Sequence, residues 1–122
     1  MPHLLLEYTK NLNLLDEQEV LLRLNKALFG SGQFDEIDIK ARAVALDDFV
    51  IGVTPAGRAF VHAKLSLSSG RSPEVKRDLS SALLQELRSI FSGPSNHHIQ
   101  LCAEIIDIDR DSYAKDMIAP SS

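Results

Sequence analysis

What the 122-residue chain lacks narrows its possible roles. It has one cysteine, Cys102, which excludes an intrachain disulfide and a cysteine cluster for zinc. No stretch is apolar over the roughly 20 residues needed to cross a bilayer. No basic segment precedes Leu4-Leu5-Leu6, so a secretory signal is not expected there, and the cytoplasm is the expected compartment. Basic residues do not dominate: 13 Lys and Arg against 17 Asp and Glu give a net charge of −4, which argues against nucleic acid as a partner. There is no Gly-rich phosphate loop and no strand-to-helix nucleophile turn. Glu7 and Glu104 have no partners at metal-ligand spacing, so no metal site is assigned.

What is present is an ordinary globular composition, 44% hydrophobic and 25% charged, in one domain's length of chain. Apolar residues bounded by polar ones predict a first strand over 2–9. Asp16, followed three residues later by Glu19, reads as a capping box. Val20, Leu21, Leu24, Ala27 and Leu28 then recur at helical spacing, predicting a helix over 16–29 that ends at Gly30 and Gly32. Alternation predicts a second strand over 37–46. Residues 49–53 read as a short extra strand or a packed loop. A third strand is expected over 58–68. Ser72 as cap, Pro73 at the first helical position and Glu74 near the dipole's positive end open a second helix, which Gly93-Pro94 stops. A fourth strand is expected over 98–108.

The order is strand–helix–strand twice, in two halves of similar length: one unit over 1–48, another over 58–109, and a loosely structured arm over 110–122. Each half should be a crossover joining parallel strands. Together they predict an α+β fold, a four-stranded sheet with both helices on one face. The strands carry apolar residues on both sides, for example Ile39 against Val44 and Ile105 against Ile106. A large exposed apolar face is uncommon in a monomer, so a homo-oligomer with packed sheets is expected.

The chain start carries the most chemistry. An initiator Met is removed efficiently before a small residue, and Pro2 qualifies. Its free secondary amine would then lie at the tip of a buried strand. An α-amino group titrates near pH 8, and burial or nearby cations lower that value. A base poised near 7 suits proton transfer. The plainer reading of Met-Pro is a proline that fixes φ at a sheet edge. Arg71, in Gly70-Arg71-Ser72-Pro73, precedes a helix N-terminus, where anions are favoured, and could pair with a carboxylate; alternatively it is a solvated turn residue. Lys40 and Arg42 share one strand face and matter only if that face lies near Pro2. His62, His97 and His98 read as structural or exposed, Cys102 as packing. His3 points away from the side chain of Pro2.

Pro2-His3 opening a strand, Phe60-Val61-His62 within another and Gly70-Arg71-Ser72 before the second helix together resemble the 5-carboxymethyl-2-hydroxymuconate Δ-isomerase family of the tautomerase superfamily. The resemblance spans roughly 1–110. It implies a pair of βαβ units, a trimer whose sheets line a central barrel, and a cofactor-free isomerase acting on a small carboxylate in aromatic-compound catabolism. It places the catalytic base on Pro2 and a carboxylate-binding arginine on Arg71. A second-strand Ile-Arg-x-Arg pattern falls on Ile39-Lys40-Ala41-Arg42, where Lys40 replaces the first arginine and Arg42 keeps the second. Lysine keeps the charge and loses the planar fork. Within the superfamily, a phenylpyruvate-type tautomerase, a decarboxylase or dehalogenase relative, or an inactive trimeric binding protein are the alternatives.

Overall fold

The computed structural model describes residues 1–14 and 16–121. Six principal elements follow in order: β1 (His3–Thr9), α1 (Glu17–Gly30), β2 (Lys40–Leu46), β3 (Arg58–Ser68), α2 (Pro73–Ile90) and β4 (His98–Ile108). The sheet order is β2-β1-β3-β4. β1 runs parallel to β2, and β3 runs parallel to β4. The two units join through the antiparallel pair β1–β3. The α+β reading is therefore correct.

Local chemistry sets the helix ends. The Asp16 carboxylate accepts from the Glu19 N–H at 3.0 Å, and the Ser72 hydroxyl accepts from the Val75 N–H at 3.2 Å, each satisfying a donor that the first turn leaves free. Val20, Leu24 and Leu28 from α1 and Leu79, Leu83 and Leu87 from α2 lie at helical spacing and are buried. They pack on Leu4, Leu6, Val61, Ala63 and Leu65, which alternate along their strands and line one sheet face. Leu83 is fully buried in this layer. Leu83→Ala should cost about 2–5 kcal/mol through lost burial and a residual cavity, read as a lower urea midpoint.

Four expectations need correcting or sharpening. β2 begins at Lys40, three residues late, because Glu36–Asp38 forms a 3₁₀ turn closed by Asp38 N–H to Asp35 O at 3.1 Å and Ile39 N–H to Glu36 O at 3.3 Å. That leaves Ile37 72% exposed instead of on a strand face. Residues 49–53 form a loop with Phe49 and Ile51 half-buried, the second of the two readings. The open sheet face is mixed rather than broadly apolar. Leu5, Val44 and Ile106 share it with a Glu7–Lys64 pair at 3.1 Å and a His62–Glu104 pair at 2.6 Å. Cys102, opposite His62 on that face, is exposed and not packed.

The fourth correction concerns the arm. Beyond β4 it forms a 3₁₀ turn, Arg110–Ser112, and then returns to the chain start through Tyr113 and Lys115. No helix among the described residues is long and apolar enough to cross a membrane.

The topology decides where chemistry can gather. β1 and β2 start at one end of the sheet, where the antiparallel β3 and its parallel partner β4 finish. The turn leaving α1 and the turn entering α2 fall at that same end. Residues distant in sequence, 1–3, 32–40, 70–71 and 110–115, are thereby collected into one neighbourhood.

Candidate active site

A cleft of about 250 Å³ opens at this end, lined by Met1, Pro2, the Gly32–Asp35 turn, Asp38 and Arg71. Pro2 is buried. Its carbonyl accepts from the Lys40 N–H at 3.1 Å, which ties the chain start to the first residue of β2. The structure thus brings Pro2 and Arg71 to one cavity, with Lys40 bonded beside it.

Arg71 is aimed by its turn. Gly70 has φ +111°, a region that L side chains rarely adopt, and a Cβ there would also come within 3.4 Å of the Arg110 guanidinium. The Arg71 guanidinium lies 4.9 Å from the centre of the Phe34 ring, a cation–π contact. It donates to the Gln33 backbone carbonyl at 3.3 Å and to Gln33 Oε1 at 3.4 Å. These neutral acceptors hold the group in place, and among the described residues no carboxylate lies within salt-bridge distance of it.

Lys40 donates its ammonium to the Asp38 backbone carbonyl. Burial, then the charge of Lys115, draws its pKa below the ordinary lysine value; Asp38 opposes this and Arg42 adds to it. Arg42 does not line the cleft. It lies on the open sheet face and donates to His3 Nδ1 at 2.9 Å. His3 Nε2 is 2.8 Å from the Tyr113 hydroxyl, with the two rings edge to face at 5.9 Å. Because guanidinium can only donate, Nδ1 must accept, and the neutral ring carries its proton on Nε2. Burial and the cations Lys40 and Arg42 hold His3 below its ordinary pKa, which favours this neutral form.

The terminal amine, here that of Met1, senses the whole group. Burial lowers its pKa from the usual 8.0, Lys40 lowers it further, Asp38 pushes it back up, and Lys115 and Arg71 lower it again. Cations outnumber acids around the cleft. Among the described residues, no group of three or more metal-ligating side chains comes together.

Of the residues singled out in the sequence, Pro2 and Arg71 line the cleft and Lys40 adjoins it; Gln33, Phe34 and Asp38 also line it, and Tyr113 and Lys115 reach its edge from the arm, without having been singled out. The Asp38 carboxylate accepts from the Lys115 ammonium at 2.9 Å, so the arm closes one side of the neighbourhood.

A family model for 5-carboxymethyl-2-hydroxymuconate isomerase matches residues 2–120. The chain belongs to that family. It is an isomerase of the tautomerase superfamily. The fold is similar to the crystal structure of a 5-carboxymethyl-2-hydroxymuconate isomerase from Deinococcus radiodurans R1, at 33% identity and a TM-score of 0.82, covering 94% of this chain and 88% of that one. A 5-carboxymethyl-2-hydroxymuconate delta-isomerase structure aligns at 21% identity and a TM-score of 0.75, over 96% and 88% of the two chains. A fused 4-OT, described as an asymmetric trimer, aligns at 14% identity and a TM-score of 0.68, over 93% and 91%, and shows likeness of fold alone. Comparison with curated proteins gave no match.

Proposed function

We propose that this isomerase moves a proton from enol oxygen to carbon in a conjugated dienol bearing two or more carboxylates, without a cofactor, with the nitrogen of Pro2 as base once Met1 is removed. The observation that carries this is the shared cleft of Pro2 and Arg71 at the strand tip. The neutral secondary amine takes the proton of the 2-hydroxyl. The resulting dienolate delocalises its charge toward Arg71 and Lys40, whose fixed positive groups are in place before charge develops. The protonated amine then returns a proton to the distal carbon, giving the conjugated ketone. Binding one carboxylate at the Arg71 fork fixes the orientation of both transfers. Arg42 holds His3 neutral beside the site. The reading treats the chain as one domain of two βαβ units in the cytoplasm, assembled as a homotrimer. The trimeric fused 4-OT supports that assembly.

Loss of enol absorbance with a hydroxy-dienoate dicarboxylate tests the reading. Turnover well above the buffer rate is expected, and a rate equal to buffer overturns it. The pH profile gives a second check. The amine must be neutral to act, so kcat/KM should rise with pH to a plateau through a pKa below 8. Asp38 raises the pKa of the Met1 amine, and its negative charge would act in the same direction on the Pro2 amine once Met1 is removed. Asp38→Asn should therefore move this acid limb to lower pH; a move to higher pH would contradict the assignment.

A further inference from the structure

The Asp38–Lys115 pair borders the cleft that holds Pro2 and Arg71. Asp38 lines the cleft with Pro2 and Arg71, and Lys115 holds its carboxylate at 2.9 Å from the C-terminal arm. The pair is half open, with the two side chains 37% and 33% exposed, so it can be exchanged without unfolding anything around it. The arm has a second tie to the chain start, independent of this pair, in Tyr113 on His3. The other charged groups facing this point are Lys40, Arg71, the terminal amine and the second cleft acid, Asp35.

We infer that Lys115 is a substrate-binding residue that selects dicarboxylates, and that Asp38 is a built-in competitor which the ligand's second carboxylate displaces. One ligand carboxylate takes the Arg71 fork, and the other replaces Asp38 on the Lys115 ammonium. A monocarboxylate leaves the Asp38–Lys115 pair intact and gains nothing from it. This deepens the isomerase reading and rests on it for the substrate class. It adds a residue from outside the strand and turn positions that Pro2, Lys40 and Arg71 occupy.

The test is equilibrium binding of adipate and hexanoate to the full chain by titration calorimetry, which does not depend on turnover. Lys115→Gln should weaken adipate by about tenfold, the scale of one partly solvated charge-assisted contact, and hexanoate by less than about twofold. Lys115→Arg should restore adipate binding to within about threefold, because the charge is kept. Asp38→Asn should tighten adipate more than hexanoate, because the competitor for the second carboxylate is gone. Equal effects of Lys115→Gln on both acids, failure of Lys115→Arg to rescue, weaker adipate binding in Asp38→Asn, or a wild type that binds neither acid would each overturn the inference. Selective loss of adipate in a protein that shows no isomerase activity would sustain the inference as a statement about binding while removing the isomerase reading.

Discussion

Blocking the nitrogen of Pro2 should reduce kcat for ketonisation by about 10²–10⁴-fold, the range that a positioned general base contributes. Two modifications reach the nitrogen from different directions. A chain that keeps Met1 converts it to an amide, and acetylation of the processed chain does the same with a smaller group. Both remove the basic lone pair without touching Arg71 or Lys40, so adipate should still bind to the acetylated protein with an affinity near that of the unblocked form. Pro2→Ala after processing leaves a primary amine at the same strand tip. It should retain more activity than either blocked form and less than wild type, because a freely rotating primary amine replaces the secondary amine whose lone pair the ring holds in one direction. Full turnover by a chain whose intact mass shows Met1 or an acetyl group would exclude the prolyl base.

Removing the Arg71 side chain should have the next largest effect. Arg71→Ala is expected to lower kcat/KM by about 10²-fold. A bidentate carboxylate contact involves two charge-assisted hydrogen bonds of about 1.5–3 kcal/mol each, and the partial exposure of the cleft discounts that sum. The loss should divide between KM and kcat. The part of the contact made equally in ground and transition states appears in KM, and the part that meets charge developing on the dienolate appears in kcat. Arg71→Lys should recover part of the activity. An ammonium restores charge but can neither form the fork nor stack on Phe34 through a planar group. The pH profile carries a further sign. Arg71 lowers the pKa of the Met1 amine, and its charge would act in the same direction on the Pro2 amine once Met1 is removed, so Arg71→Ala should move the acid limb to higher pH, opposite to Asp38→Asn. A lysine variant as active as wild type, or an acid limb that moves down, would remove Arg71 from the site.

The elements that could be read from the sequence are those whose stability is local. Asp16 and Ser72 cap their helices through their own side chains, and leucines at helical spacing place each helix on the sheet. The strands β1 and β3 alternate between buried and half-buried positions, and such patterns are visible without tertiary information. β2 was harder because its start is set by backbone hydrogen bonds within Asp35–Ile39, which the apolar letters Ile37 and Ile39 conceal. The composition of the open face also could not be judged residue by residue. Whether Glu7 is a liability or a partner depends on Lys64, which becomes its neighbour only through the β1–β3 register.

For the site, Pro2 and Arg71 were legible because each depends on an immediate setting, a chain terminus and a Gly-Arg-Ser turn before a helix. Lys40 was legible as part of a strand pattern, although its contact with the Asp38 carbonyl was not. Lys115 and Tyr113 were not legible. They lie 77 and 110 residues from the side chains they meet, on a segment with little regular structure. No periodicity reports a contact of that kind. Arg42 shows the reverse case. Its strand position matched the expected pattern, yet its guanidinium is committed to His3 on the open face instead of lining the cleft.

The most direct measurement of the central claim is a nitrogen-15 titration of Pro2 in chain from which Met1 has been removed, followed by NMR beside kcat/KM over the same pH range. The nitrogen should titrate below the ordinary α-amino value of about 8, and its midpoint should coincide with the acid limb of the rate profile. A nitrogen that titrates at 8 or above, or whose midpoint lies apart from that limb, would show that the amine is not the base.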